Sequence, residues 1–97
     1  MKQTDKSANG TSFHNHTFTA TVADLRRVLG QPKFESNDGE DKVNFEWVME
    51  TEAGDVFTVY DWKEYRSIDE DEDIEWHIGG HSGGVTEMAL KEIEAAL

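Results

Sequence analysis

Hydrophobic and polar positions alternate most clearly over Val43-Asn44-Phe45-Glu46-Trp47-Val48-Met49-Glu50. Val43, Phe45, Trp47 and Met49 share one face and Asn44, Glu46 and Glu50 mostly the other, the two-residue period of a half-buried strand. Ala53-Gly54-Asp55 turns the chain, and Val56 to Lys63 predicts a second strand, antiparallel to the first across that short connection. Bulk falls on both of its faces: Phe57 and Val59 on one, Val56, Tyr60 and Trp62 on the other. Such a strand is central, or turns one half to a ligand or a second subunit. Ile74 to Gly79 predicts the third strand of a meander, with Ile74, Trp76 and Ile78 facing one way and Glu75 and His77 the other.

Two helices and one further strand flank this meander. Thr11 to Ala20, rich in β-branched threonine, predicts a strand; Phe13 and Phe18 fall on opposite parities, which calls for a bulge or a short strand. Thr21 caps a helix whose stripe is Val22, Leu25, Val28 and Leu29, and Gly30 with Pro32 ends it. Val85, Ala89, Ile93 and Leu97 recur every fourth residue and predict a closing amphipathic helix over Val85 to Leu97. The acidic runs Glu35 to Asp41 and Asp69 to Asp73 are solvent loops by composition. The order β-α-β-β-β-α predicts an α+β fold, a two-layer sandwich with both helices on one face of an antiparallel sheet. One domain spans 11–97, and residues 1–10 predict a disordered N-terminal tail. The uncovered sheet face is then free to form a pocket or the interface of a homo-oligomer.

Composition narrows the partners. Ninety-seven residues with a 36% hydrophobic share support one modest core. A net charge of −12 argues against direct binding to nucleic acid, because Lys and Arg on phosphates supply most of that affinity. The same charge either keeps a small protein in solution or favours a basic partner surface. The absence of cysteine removes disulfides, thiolate zinc sites and thiol catalysis. The opening residues lack the apolar core of a signal peptide or anchor, and no run is long enough to span a membrane, so a cytoplasmic location is expected.

Three groups of residues carry candidate chemistry. Ile74 to Gly84 reads as a strand running through a glycine-rich turn into a helix, either a plain connector or a cradle whose backbone N–H groups and helix end hold an anion. Beside it, Tyr60, Trp62, Lys63 and Arg66 from one strand and His77, Gly79, Gly80, His81 and Ser82 from the next predict a ligand pocket. Rings stack on a base, Lys63 and Arg66 meet phosphate oxygens, and the turn donates N–H groups. The competing possibility is that the tryptophans are core and the two cations offset nearby acids. His14 and His16, spaced as chelators, and His77 and His81 raise a metal site, but nothing in the sequence brings the pairs together. As a general base, His77 has Asp61, Glu75 and Ser82 as partners without a choice among them, and no nucleophile motif surrounds it, which favours binding over catalysis. The acidic loops form the third group, as mimics of a phosphate chain for a basic groove.

Tyr60-Asp61-Trp62-Lys63, followed after an acidic loop by Glu75-Trp76-His77-Ile78-Gly79-Gly80, resembles a group of small uncharacterised proteins of tailed bacteriophages. The helix ending in Gly30-Gln31-Pro32 and the strand with Glu46-Trp47-Val48 are similar to theirs as well, so the likeness runs from about Thr11 to Leu97. It implies a phage accessory protein acting against host defence in the host cytoplasm, and it carries no catalytic residues. The expected function is non-enzymatic capture of a small anionic, nucleotide-like signalling ligand, such as a cyclic nucleotide, with no cofactor. The alternative is an acidic inhibitor or nucleic-acid mimic that blocks a host defence protein by direct contact.

Overall fold

The alternating run at the middle of the sequence becomes the middle of the sheet. A computed structural model describes residues 1–97, with strands β1 (Lys2–Gln3), β2 (Ser12–Ala20), β3 (Phe34–Glu35), β4 (Phe45–Glu50), β5 (Val56–Asp61) and β6 (Ile74–Gly80), and helices α1 (Val22–Leu29) and α2 (Gly83–Ala96). All pairings are antiparallel in the order β1-β4-β5-β6-β2, and the short β3 pairs with β4 beside β1. The expected α+β sandwich is therefore present, with two small strands added to one edge.

Each face follows from the register. Phe45, Trp47 and Met49 of β4, Phe57 and Val59 of β5, Trp76 and Ile78 of β6 and Phe18 of β2 join Val22, Leu25 and Leu29 of α1 and Ala89 and Ile93 of α2 in one buried cluster. Both helices thus cover the same face. Trp47 and Trp76 meet edge to face at 5.5 Å between ring centroids. Their indole N–H groups donate to Gly30 O at 2.8 Å and Ala20 O at 2.9 Å, so each ring also ties the sheet to one end of α1. Thr21 caps α1 as its sequence predicts, its Oγ1 accepting from Asp24 N at 3.0 Å.

Residues 1–10 are not a loose tail. The Met1 ammonium pairs with Glu92 of α2 at 3.1 Å, and Lys2 and Gln3 lie in register with Glu50 and Met49. Gln3 Nε2 donates to Leu29 O and Gln31 O at 2.9 and 2.7 Å, and Lys6 Nζ to Glu50 Oε2 and Gly54 O at 2.7 and 3.0 Å. Because β1 and β2 occupy opposite edges, residues 4–11 strap across the sheet between them. A polar segment held by backbone ends and ion pairs has no hydrophobic period by which to announce itself.

Two loop expectations also change. Phe34 and Glu35 pair with Glu46 and Phe45, although Glu35 reads as the start of a solvent loop. Arg26 then bridges Glu35 at 2.8 Å and Glu70 at 2.9 Å, and the Asn37 side chain donates to Ile68 O and accepts from Ile68 N, so the two acidic loops are stitched together. Strand β5 stops at Asp61, short of Lys63, because Lys63 and Tyr65 adopt left-handed conformations with φ of 61° and 50°.

Candidate functional site

The face opposite the helices carries one continuous row of side chains, Phe34, Glu46, Tyr60, His77 and Thr17, each the cross-strand partner of the next. The bulge in β2 at Asn15 (φ 67°) lies between Phe13 and Thr17 and leaves both on this side, so Phe13 and Phe18 do face opposite ways. Phe13 stands 4.9 Å from His77 between ring centroids, His77 stacks on Tyr60 at 5.8 Å, and Tyr60 meets Trp62 edge to face at 6.3 Å. These four rings line a concavity of about 390 Å³. Tyr60 and Trp62 also wall a neighbouring hollow of about 250 Å³ with Glu46, Thr58 and Gly79 on its sides. A cleft of about 460 Å³ between the N-terminal strap and Pro32 is lined without any aromatic ring.

Trp62 is the distinctive member. Trp47 and Trp76 are completely buried, whereas Trp62 is 44% exposed. Lys42 Nζ and Lys63 Nζ stand 5.9 and 5.6 Å from its ring centroid, two ammonium groups on one indole. Phe34 and Tyr65, also exposed, extend the aromatic surface beyond Trp62 into a third hollow that Lys42, Glu40 and Asp41 line. Burial raises the Glu46 carboxyl above its usual value, opposed by the charge of Lys33. Burial, and then the negative charge of Glu46, raise the Tyr60 hydroxyl.

The sequence-predicted pocket residues divide. Tyr60, Trp62, Lys63 and His77 come together on this face, and Gly79 lines it: a Cβ there would lie 2.6 Å from Thr58 Oγ1. Gly80 faces the helix layer, where a Cβ would meet Thr86 Cγ2 at 2.8 Å. The glycine pair therefore serves close approach on both sides of β6 and has no positive φ to accommodate. Ser82 spends its hydroxyl as the cap of α2, accepting from Val85 N at 3.2 Å, and His81 lies beside Gly10 at the end of the strap. Arg66 is held by both oxygens of Glu72. Gly79, Gly80 and the Ser82 hydroxyl thus serve packing and capping, and the cations facing Trp62 are Lys63 and Lys42.

No acid reaches His77. Asp61 turns to the core side, Glu75 accepts from Thr17 Oγ1 at 3.3 Å, and Ser82 caps its helix. His77 Nδ1 is buried with no hydrogen-bond partner. The four histidines do not converge either: His16 Nδ1 bonds Thr86 Oγ1 at 2.7 Å in the helix layer and His14 Nε2 bonds Gly80 O at 3.1 Å, while His77 lies on the open face. No group of three or more His, Cys, Asp or Glu is placed to hold a metal ion.

Phe13, Phe34, Lys42 and Glu46 belong to this face and were missing from the pocket predicted from sequence. The parity of Phe13 against Phe18 and of Glu46 against Trp47 carried the signal for two of them. Lys42 arrives from a loop, and Phe34 through a two-residue pairing, with no periodic trace. Comparison with protein-family models, with curated proteins and with solved structures finds no match to this chain. No helix is long and apolar enough to cross a membrane.

Proposed function

We propose that the open sheet face binds a nucleotide without transforming it. The observation that carries this reading is Trp62, an exposed indole flanked by two lysine ammonium groups and continuous with the Tyr60–His77 stack. A base stacked on such an aromatic side chain gains about 1–3 kcal/mol. Lys42 and Lys63 are placed to meet phosphate oxygens, although the chain as a whole repels anions, so binding strengthens with added salt up to the point where the local pairs are screened. An imidazole without a positioned acid, and no nucleophile beside it, favour capture over turnover. Capture of a nucleotide signal in the host cytoplasm, as a phage accessory protein, extends this reading through the resemblance in residues Thr11 to Leu97. The alternative of charge mimicry is weakened where Glu70 and Glu72 are occupied by Arg26 and Arg66.

The three-tryptophan arrangement supplies its own probe, since only Trp62 is accessible to solvent quenchers. Titration with linear and cyclic nucleotides, followed by tryptophan emission and calorimetry, is expected to show saturable binding. Trp62→Ala should weaken it about 5- to 100-fold while leaving the melting temperature close to that of the parent. Absence of heat and of quenching with every nucleotide refutes the proposal. A dimer that dissociates on Trp62→Ala, measured by sedimentation, would instead assign the face to a second copy.

A further inference from the structure

Glu46 is the one carboxylate in the middle of the aromatic row. It lies directly opposite Tyr60 on β5 and Phe34 on β3, cross-strand pairs whose Cβ atoms stand about 4.5–5.5 Å apart. It shares the hollow walled by Tyr60 and Trp62. Its backbone carbonyl is occupied by Lys33 N at 2.8 Å, but its side chain takes part in no hydrogen bond or ion pair within 4 Å, unlike Glu35, Glu50, Glu70 and Glu72, which are all paired. A carboxylate partly stripped of water between two rings, with no hydrogen-bond donor from its own chain and only the more distant charge of Lys33 opposing its burial, is stabilised by a ligand that brings donors to it.

We propose that Glu46 makes the open face selective for guanine. The inference rests on the reading of this face as a nucleotide site. A carboxylate only accepts hydrogen bonds, and its two oxygens match two parallel N–H groups. Guanine alone among the common bases sets two donors side by side, N1–H and the 2-amino group. Adenine places an acceptor nitrogen beside its amino group, cytosine does the same, and uracil flanks its single N–H with two carbonyls. With the base stacked on Trp62, whose plane stands at 86° to that of Tyr60, its Watson–Crick edge turns toward Tyr60 and Glu46, which share that hollow. The sugar and phosphates then leave past Trp62 toward Lys42 and Lys63, whose ammonium groups offset the Glu40 and Asp41 carboxylates lining the hollow there. The raised Glu46 carboxyl agrees with this incomplete solvation.

The test compares GMP, IMP and AMP by calorimetry at pH 7 on the full chain and on Glu46→Gln, with thermal melts to establish that the variant folds. The expected result is GMP tighter than AMP by about 10- to 100-fold, with IMP, which lacks the 2-amino group, in between. In Glu46→Gln the three ligands should converge to within about twofold while AMP binds no worse than before. Equal binding of GMP and AMP by the parent chain, or a guanine preference that survives Glu46→Gln, overturns the role of Glu46 and leaves nucleotide binding standing. Failure of all three nucleotides, with saturable binding of arginine amide that Glu46→Gln removes, overturns both readings and gives the carboxylate to a guanidinium of a protein partner.

Discussion

Asp61→Asn is expected to cost about 2–5 kcal/mol of folding stability, a large part of the 5–15 kcal/mol typical of a whole domain. The Asp61 side chain is fully buried. One oxygen accepts from Asn44 N and Phe45 N, both at 2.9 Å, and the other from Asn44 N and Asn44 Nδ2, both at 3.1 Å. Every atom facing the carboxylate is a donor, so an asparagine keeps one acceptor oxygen and presents an NH₂ group to a donor. One buried N–H left unpaired costs about 1–3 kcal/mol, and the bonds that remain lose the strengthening that a charged acceptor provides, about 1 kcal/mol each. Against this stands the relief of no longer burying a charge, which three well-placed donors keep smaller than the loss. Urea unfolding followed by the emission of buried Trp47 and Trp76 measures the difference. A change below 1 kcal/mol would show that desolvation cancels the hydrogen bonds, and would refute the assignment of Asp61 as the clamp of this corner. The same network holds Asn44, whose Nδ2 also donates to Arg66 O at 2.9 Å, and beside it Lys63 N donates to Lys42 O at 2.8 Å. Loosening it should therefore draw Lys42 away from Trp62 and weaken nucleotide binding as well.

Gly80→Ala should lower stability by about 1–3 kcal/mol in the same assay, because its methyl would meet Thr86 Cγ2 at 2.8 Å and Val85 Cγ1 at 3.2 Å. Gly83→Ala, whose methyl would find only His14 Cβ at 4.0 Å, should instead be neutral or stabilising by a few tenths of a kcal/mol; equal effects at the two positions would contradict the close-approach role of Gly80. Burial raises the Glu46 carboxyl, so its protonated form is favoured by folding; that contribution is fully present below the ordinary carboxyl range and is lost as pH rises through the raised value. Glu46→Gln should accordingly melt higher than the parent at pH 7, with the gap closing below pH 4.5, the ordinary value of the group; a gap independent of pH would refute it.

Where a residue's role depends on its immediate neighbours, the chain states it openly. Thr21 and Gly30 bound their helix because capping is a matter of three or four adjacent residues. The alternation over β4, β5 and β6 places Trp47 and Trp76 inside and Tyr60 and His77 outside because strand parity is local. Lys63 and Trp62 are neighbours in sequence and remain neighbours in space. Arg66, three residues further on, is lost to Glu72 because a left-handed residue on each side of Glu64 turns the chain, which no periodicity records. The glycine turn shows the same limit: composition does not tell that Gly79 and Gly80 permit the close approach of Thr58 on one side of β6 and Thr86 on the other, without any positive φ.

By itself the sequence determined the α+β class, the meander, the two helices with the Thr21 cap of the first, and the aromatic character of the exposed face, all consequences of spacing along the chain. Only the tertiary structure decided which of three tryptophans stays in water, that residues 1–10 strap the sheet, and that Glu46 stands between Phe34 and Tyr60 while Lys42 reaches Trp62. Those facts depend on pairings between segments far apart in the chain. Their free energy comes from burial and hydrogen bonds that exist only once the sheet has closed.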